Sequence, residues 1–362
     1  MALPRTVAAP AQVSLREAYA HSMEINRQYG RSYFLATRLL PAYKRPHVHA
    51  LYGFSRSADN IVDAPAPPGA PDPTPVQRAE RLRRWGAGLA AGLAGKPVRD
   101  PTLLAVVHTI RGYDLDPEDF DKFLHSMAMD LTVTRYETYT DLLGYMEGSA
   151  AVIGTMMLPI LGMVPGADLA LARESARQLG LAFQLTNFIR DVEEDLGLGR
   201  IYLPRRDMER FGVTSDLLYA DARARRASPP VRSLIEYECG RALAHYDAAR
   251  AGLALLEPRS RVCIRAAFLL YGGILDEVGR AGYDVLRRRV RVPRRRRATI
   301  VAVAASPRLF EVATHRWAVR RVGPPRTSAP HQDAWRHGLQ RHGRWRRDAD
   351  MAHSDLPQRQ VR

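Results

Sequence analysis

Two acidic stretches at helical spacing decide how this chain folds: Asp59-Asn60-Ile61-Val62-Asp63 and Asn187-Phe188-Ile189-Arg190-Asp191-Val192-Glu193-Glu194-Asp195. Residues four apart share one face of a helix, so Asp59 lies beside Asp63. By the same spacing, Asn187, Asp191 and Asp195 form a continuous oxygen-rich stripe. Like charges at this spacing repel each other. Two such stripes within otherwise apolar helices therefore predict a cation that offsets the repulsion.

The oxygen ligands of both stripes indicate Mg2+, which Mn2+ could replace. Mg2+ keeps several water molecules and is typically bound by one or two carboxylates together with substrate phosphates. A diphosphate between the stripes is therefore the predicted ligand. The predicted metal ligands are Asp59, Asp63, Asn187, Asp191 and Asp195. Glu193 and Glu194 lie off the stripe and are predicted to be solvated or to support the ligands from outside.

Apolar periodicity predicts helices almost throughout the chain. Pro46 suits the first turn of a helix that carries both aspartates of the first stretch and stops before Pro65. Further helices are predicted at about 76–94, 101–112, 117–131, 139–161, 167–196, 230–256 and 260–289. No alternating apolar and polar runs bounded by turns indicate a sheet. The sequence thus predicts one all-α domain whose acidic stripes face each other across a cavity.

The formal charge of +16 is concentrated near the C-terminus. Residues 286–362 hold 20 Lys and Arg and 5 Asp and Glu, a net charge of +15, which leaves +1 for residues 1–285. The basic charge therefore says little about what the core binds. Low apolar content and high charge predict a disordered tail at 298–362, with a short helix at 298–305 as an alternative for its start.

Two interpretations of the basic tail stay open. It is a solvated appendage, or it makes electrostatic contact with an anionic membrane. Nucleic acid is not expected as a partner, because no recognised binding motif accompanies the charge.

Cysteine usage and the ends of the chain bear on the compartment. Cys239 and Cys263 give no disulfide framework in 362 residues, which fits a reducing compartment. Residues 1–12 lack the charged and apolar regions of a signal peptide. The longest apolar run, 150–164, contains Pro159 and is shorter than the about 18 residues that a membrane span needs. We expect a cytoplasmic protein, soluble or peripheral to a membrane.

Several motifs, taken together and in order, resemble the squalene/phytoene synthase family. They are Arg31-Ser32-Tyr33-Phe34-Leu35-Ala36-Thr37, Leu51-Tyr52-Gly53-Phe54-Ser55-Arg56, Tyr145-Met146-Glu147-Gly148-Ser149-Ala150-Ala151-Val152-Ile153-Gly154, Gly199-Arg200-Ile201-Tyr202-Leu203-Pro204 and Ile274-Leu275-Asp276-Glu277-Val278. Each is weak alone, but together they cover roughly residues 20–295. The resemblance implies an isoprenoid-synthase-like helical bundle around a central cavity, at residues 15–297 and preceded by a flexible N-terminus, 1–14.

The resemblance also implies an activity. Members of the family join two prenyl diphosphates head to head through a cyclopropylcarbinyl diphosphate, with release of diphosphate and dependence on Mg2+. With two geranylgeranyl diphosphates the product is phytoene, a step of carotenoid biosynthesis, and no NADPH is expected. The alternatives are squalene, dehydrosqualene or hydroxysqualene formation from farnesyl diphosphate, squalene formation requiring NADPH. A third hypothesis is an inert scaffold of the same fold, which the four retained aspartates oppose.

The family pattern implies roles for further residues. Asp59, Asp63, Asp191, Asp195 and Arg56 are the predicted catalytic residues, and Arg56 lies three residues before Asp59 and so shares its face. The predicted substrate-binding residues are Arg31, Ser32, Arg56, Tyr145, Asn187, Arg190, Arg200, Tyr202, Tyr271 and Arg288. Arg suits a diphosphate because its N–H donors form a fixed fork.

The wall of the cavity and one departure from the family complete the predictions. A carbocation needs apolar and aromatic surroundings that exclude water. The candidate lining residues are Phe34, Phe54, Met156, Met157, Leu181, Phe183 and Phe188. Asn60 stands where the family commonly has a second Asp, and we expect a modest effect on metal affinity.

Overall fold

A computed structural model of the chain describes residues 13–66 and 68–319, apart from the side chains of residues 31, 32 and 316–319. Its helices are α1 (Leu15–Tyr29), α2 (Arg31–Thr37), α3 (Arg45–Asp63), α4 (Pro75–Leu93), α5 (Pro101–Tyr113), α6 (Pro117–Met129), α7 (Tyr139–Met146), α8 (Val152–Leu161), α9 (Leu169–Arg190), α10 (Val192–Gly197), α11 (Arg205–Arg210), α12 (Ser215–Ala224), α13 (Pro229–Arg250), α14 (Pro258–Arg280), α15 (Arg294–Ala305) and α16 (Pro307–Val319). A π-helical turn, Glu147–Ala151, joins α7 to α8, and a 3-10 turn, Ala251–Ala254, follows α13.

The all-α prediction is confirmed. Within the described residues, β-structure is limited to two isolated bridges, Arg135 with Ile201 and Met163 with Leu256. In the same part of the chain, no helix is both long and apolar enough to cross a membrane. The predicted flexible N-terminus falls mainly on residues 1–12, outside the described part.

Local sequence signals set the helix starts. The Ser14 hydroxyl accepts a hydrogen bond from the Glu17 backbone N–H at 3.3 Å, and the Glu17 carboxylate accepts one from the Ser14 N–H at 2.9 Å. This reciprocal pair satisfies two donors that a helix start otherwise leaves free. Thr74 and Thr138 cap α4 and α7 in the same way. Helix α3 begins at Arg45, carries Pro46 in its first turn and ends at Asp63, as predicted.

Glycines allow α8 and the π turn to pack closely on α9. A Cβ atom at Gly154 would lie 2.1 Å from the Ala176 carbonyl oxygen, and one at Gly180 would lie 2.4 Å from the Ala150 carbonyl oxygen. No side chain fits at either position without a shift of the backbone. The two glycines therefore bring both backbones to the cavity wall, to which α2, α3, α13, α14 and the 3-10 turn also contribute.

The predicted helix 167–196 is interrupted at Asp191. Its backbone, at φ −104° and ψ 18°, is not helical, so α9 ends at Arg190 and α10 begins at Val192. The spacing nevertheless survives, because the Asp191 N–H donates to the Asn187 carbonyl at 2.8 Å and the Asp195 N–H donates to the Asp191 carbonyl at 2.9 Å. The oxygen-rich stripe is thus bent at its middle member instead of running straight.

The predicted helix 260–289 is also shorter than expected. Helix α14 ends at Arg280, and both Gly282 (φ 63°) and Tyr283 (φ 60°) take left-handed backbone conformations. Such conformations end a helix, and glycine favours them. Residues 281–293 therefore form an irregular segment, which places Arg288 on a loop and not on a helix.

The folded part continues beyond residue 297. The short helix considered at 298–305 is found as part of α15, whereas the disorder predicted after it does not hold for residues 307–319, which form α16. Helices α15 and α16 bury Ile300, Ala304 and Phe310, and the Phe310 ring packs edge-on against Phe268 of α14. A few apolar residues at helical spacing suffice to dock these basic helices, because arginine heads stay in water while their stems cover apolar surface. Residues 320–362 lie outside the described part.

Candidate active site

The first acidic cluster lies on the continuous helix α3. The Arg200 side chain donates a hydrogen bond from Nη2 to Asp63 Oδ1 at 2.7 Å. Arg56 Nη1 lies 3.9 Å from Asp59 Oδ2, and the Arg56 guanidinium stacks over the Tyr29 ring at 4.6 Å from its centroid. The structure thus brings the predicted Arg56 and Arg200 to the two predicted aspartates.

The second cluster surrounds the bend between α9 and α10. Arg190 Nε donates to Asp191 Oδ1 at 2.7 Å. Arg289 Nε lies 2.9 Å from the same oxygen, and its Nη1 donates to Glu194 at 2.7 Å. Asp191 is therefore held by two arginines. Glu194 supports this arrangement from outside, as predicted from its position off the stripe, and Glu193 is exposed.

A buried carboxylate, Asp130, organises the floor between the clusters. Its Oδ2 accepts a hydrogen bond from the Tyr145 hydroxyl at 2.7 Å, and its Oδ1 accepts one from the Tyr202 hydroxyl at 2.9 Å. Its backbone carbonyl accepts from Arg200 Nη2 at 3.0 Å. The Phe188 ring stacks on Tyr202 with centroids 4.0 Å apart. These contacts explain why Tyr145 and Tyr202 belong to the site, although both hydroxyls point at protein.

Three aspartates of the site have raised pKa values. Burial, with the charge of Asp191 next, raises the pKa of Asp195 to about 8. Burial raises the pKa of Asp59 to about 7 despite Arg56, and Asp63 adds to the rise. Burial raises the pKa of Asp130 to about 6 despite the hydrogen bonds from its tyrosines. The influence of Asp63 on Asp195 shows that the two clusters are close enough to repel each other.

An apolar cavity of about 180 Å³ lies among helices α2, α3, α8, α9 and α14. Of the predicted lining residues, Met157 and Phe183 line it. Phe54 instead packs among Trp85, Phe120 and Phe123 in the core. The remaining candidates, Phe34, Met156, Leu181 and Phe188, are not among the lining residues either. Small residues and Tyr33 form much of the wall, which periodicity alone does not distinguish from ordinary core.

Aromatic contacts connect the cavity to both acidic clusters. Tyr33 lines the cavity and stacks on Tyr52 at 5.7 Å; burial raises the pKa of Tyr52, and the charge of Asp59 adds to the rise. On the other side, Phe183 stacks on Tyr271 at 4.4 Å; burial raises the pKa of Tyr271, Arg190 opposes the rise and Asp191 adds to it. The clusters therefore lie at one end of the apolar space, and the predicted Tyr271 lies at the boundary.

The remaining predicted residues have different outcomes. The side chains of Arg31 and Ser32 lie outside the described part, and only their helical backbone in α2 is placed. Asn187 is half-buried on the last turn of α9, and Gln184, one turn before it, reaches the cavity wall. Arg288 is exposed on the irregular segment after α14. Its neighbour Arg289 holds Asp191, so Arg288 stays a prediction as a diphosphate ligand.

Two residues that contribute to the site, Asp130 and Arg289, were not predicted from the sequence. Asp130 follows α6 and has no charged neighbour at helical spacing, so only the fold shows that two tyrosines converge on it. Arg289 lies within an arginine run in which no local signal distinguishes one member. An acidic residue after an apolar helix and before Tyr145 was the available signal for Asp130.

The carboxylates of the site suit a hard divalent cation whose remaining ligands come from water and substrate. Within the described residues, no three His, Cys, Asp or Glu side chains are grouped to hold a metal ion by themselves. Mg2+ does not require such a cage, since it keeps water and takes substrate phosphate oxygens. The donors are all oxygens, and the raised pKa values of Asp59 and Asp195 show negative charge that a cation would stabilise. The residues present therefore fit Mg2+.

Comparisons with known proteins agree with the site. The family model for squalene/phytoene synthase matches residues 26–296. The chain is 34% identical over 299 residues to 15-cis-phytoene synthase of a Synechocystis species, covering 80% of this chain and 85% of that protein. It is 33% identical over 287 residues to phytoene synthase of Arthrospira platensis, covering 76% and 89%.

Solved structures show the same fold. A dehydrosqualene synthase in complex with ligand superposes with a TM-score of 0.70 at 27% identity, covering 80% of this chain and 96% of that chain. A squalene synthase from Alicyclobacillus acidocaldarius superposes with a TM-score of 0.64 at 30% identity, covering 75% and 97%. The chain belongs to the squalene/phytoene synthase family.

Proposed function

We propose that this protein is a phytoene synthase, a prenyltransferase that condenses two geranylgeranyl diphosphates head to head through a cyclopropylcarbinyl diphosphate. The observation that carries the proposal is the placement of two arginine-supported carboxylate clusters at one end of an apolar cavity. A substrate with a charged head and a long hydrocarbon chain matches both parts. The similarity to phytoene synthases at 33–34% identity supports the choice of product within the family.

The charged end of the site favours departure of diphosphate. Arg56, Arg190 and Arg200 carry fixed N–H donors that stabilise an oxyanion as its charge develops. Arg200 is held in place by Asp63 and by the Asp130 carbonyl, so its orientation is set before substrate arrives. Mg2+, held by Asp59, Asp63, Asn187, Asp191 and Asp195, would neutralise diphosphate charge and assist its ionisation.

The apolar end protects the carbocation. Met157, Phe183 and Tyr33 line the cavity, and burial keeps Tyr33 protonated by raising its pKa far above the ordinary value. Aromatic faces attract positive charge, and a wall with few polar groups excludes water that would trap the cation. The chain thus separates two tasks in space: leaving-group stabilisation at the clusters and cation protection in the cavity.

A second candidate is a squalene-type enzyme that acts on farnesyl diphosphate. The structural similarity to a dehydrosqualene synthase and a squalene synthase favours it. The deciding experiment incubates the purified protein with C15 or C20 diphosphate, with Mg2+ and with or without NADPH, and identifies products by mass spectrometry. We expect phytoene from the C20 substrate without NADPH. A product formed from the C15 substrate alone would replace the proposal with the second candidate.

A further inference from the structure

An arginine-rich segment lies beside the charged end of the site. Residues 287–297 contain eight arginines and no acidic residue. Val290 and Val292 are buried and fix the segment to the body, where Val292 packs near Gly273 of α14. The alternation of buried valines with exposed arginines shows that the segment is anchored, and that its charge is presented to solvent in a defined place.

Two of the eight arginines are used within the protein. Arg289 forms ion pairs with Asp191 and Glu194. Arg296 forms ion pairs with Asp276 and Glu277 on α14. These pairs hold the segment to the body near both of its ends, and they neutralise the acidic side chains that contact it.

Five other arginines of the segment are exposed, and one of them, Arg288, is a predicted substrate ligand. The remaining four, Arg287, Arg291, Arg294 and Arg295, are here called the arginine rim. All four lie within residues 287–295, on either side of the buried Val290 and Val292. Arg225 adds a further positive charge nearby, since its Nη2 lies 3.5 Å from the Arg287 carbonyl oxygen. Residues 1–285 carry a net charge of only +1, so this segment holds a large share of the excess positive charge of the described part.

The rim adjoins the second acidic cluster through Arg289, which lies between Arg287 and Arg291 in the chain and pairs with Asp191. A chain of contacts runs from the cavity-lining Phe183 through Tyr271 to Arg190 and Asp191, and from Asp191 to Arg289 in the arginine segment. Exposed positive charge fixed beside a site for diphosphate substrates suits an anionic lipid surface, which attracts clustered basic residues.

We propose that the arginine rim docks the protein on an anionic lipid surface with the charged end of its site turned toward the bilayer. The inference rests on the proposed function, because prenyl diphosphates are amphiphiles whose hydrocarbon chains dissolve in a bilayer. Docking at this place shortens the path from the membrane to the cavity. Nucleic acid also offers phosphates, but it gives no reason for the rim to adjoin a site for hydrocarbon substrates.

The test compares two full-length variants with equal charge. The rim variant carries Arg287→Gln, Arg291→Gln, Arg294→Gln and Arg295→Gln, and leaves Arg288 intact because it is a predicted substrate ligand. The control variant carries Arg81→Gln, Arg84→Gln, Lys96→Gln and Arg99→Gln, which are exposed on and after α4. Helix α4 packs on α3, α5 and α6, whereas α15, which carries Arg294 and Arg295, packs on α14. Both variants retain residues 320–362.

Binding is measured by co-sedimentation with vesicles of phosphatidylcholine containing phosphatidylglycerol, and with phosphatidylcholine alone. Each basic residue near the surface strengthens binding about fivefold, so the rim variant should bind anionic vesicles at least about a hundredfold more weakly. The control should bind within a fewfold of the wild type, as judged from the same measurement. Binding by the wild type should weaken as salt screens the contact.

Three results would overturn the inference: equal binding by both variants, equal binding to neutral vesicles, or stronger rim-dependent binding to duplex DNA than to anionic vesicles. Turnover of detergent-dispersed substrate is measured in parallel and should be alike in all three proteins. A failure of turnover in every protein would reject the proposed function, while the vesicle result would still decide whether the rim binds lipid.

Discussion

The two acidic clusters differ in how their charge is balanced. In the first, Asp63 is paired with Arg200, which comes from the loop after the second cluster and keeps only 10% of its side chain exposed. In the second, Asp191 is paired with its neighbour Arg190 and with Arg289, whose side chain is 39% exposed. The first pairing joins distant segments through a buried arginine and leaves Asp63 38% exposed. The second holds a bend through the more exposed Arg289 and leaves only 15% of the Asp191 side chain exposed.

The comparison also shows what the clusters share. Each contains one aspartate that arginine neutralises and one whose pKa is raised, Asp59 at about 7 and Asp195 at about 8. By the proposed assignment, the closely paired Asp63 and Asp191 hold the architecture, whereas Asp59, which only the more distant Arg56 approaches, and Asp195 carry charge that a cation would offset. We therefore expect function and stability to separate by residue type within each cluster.

The largest effect is expected at the aspartates with raised pKa values. Asp59→Asn and Asp195→Asn should each lower kcat about 10³-fold, since a metal contact to a leaving group contributes several kcal/mol to transition-state stabilisation. Both should raise the Tm of the metal-free protein, because each removes a crowded negative charge. Steady-state kinetics with Mg2+ and thermal melts in EDTA test this pair of outcomes. Full turnover in either variant would contradict the assignment.

The next effect distinguishes the two arginine clamps. Arg200→Gln should lower kcat/KM about 10²-fold and also lower Tm, because Arg200 supports Asp63, the Asp130 carbonyl and an oxyanion at once. Arg289→Gln should cost less stability, since exposed ion pairs contribute about 1 kcal/mol or less. Parallel kinetics and melts of both variants provide the comparison. A larger loss of Tm in Arg289→Gln would reverse the roles assigned to buried and surface clamps.

Local spacing explains what could be predicted from the sequence. The pairing of Asp59 with Asp63 depends only on the pitch of α3, and the hydrogen bonds across the bend preserve the same spacing from Asn187 to Asp195. Helix caps such as Ser14 are equally local. These features could be read from short stretches because their physical cause lies within a few residues.

Tertiary contacts explain what could not be predicted. Asp130 acquires its role from two tyrosines that follow it by 15 and 72 residues. Arg289 is selected from its run by Asp191, 98 residues away. Helix α16 docks through Phe310 on Phe268, although its surroundings are basic enough to indicate disorder. In each case the deciding partner lies far along the chain, where periodicity carries no information.

A smaller effect concerns the pH dependence of stability without metal. Raised pKa values mean that the folded protein holds protons which the unfolded chain has released, so stability decreases as pH rises from about 4 to about 8. In EDTA, Tm should therefore fall over this range, and Mg2+ should restore part of the loss at pH 8. The Asp195→Asn variant should show a flatter slope. A Tm that rises with pH between 6 and 8 would show that the carboxylates are already compensated.

The smallest effect is expected from Asn60→Asp, which places a charge beside Asp59 in the first cluster and leaves the second cluster unchanged. Asn60 neighbours the site without belonging to the i,i+4 pair, and its carbonyl accepts the hydrogen bond that ends α3 at Ala64. The new carboxylate should raise the pKa of Asp59 further by like-charge repulsion and lower the metal-free Tm slightly. Turnover at saturating Mg2+ should stay within about twofold, because the charge acts from beside the ligand pair and loses strength with solvent screening. A Mg2+ titration of activity at fixed substrate measures the effect, with Glu193→Gln in the second cluster as the exposed control. If Asn60→Asp changed turnover tenfold, residue 60 would be a metal ligand. The first cluster would then offer ligands at positions 59, 60 and 63 instead of only the pair at 59 and 63.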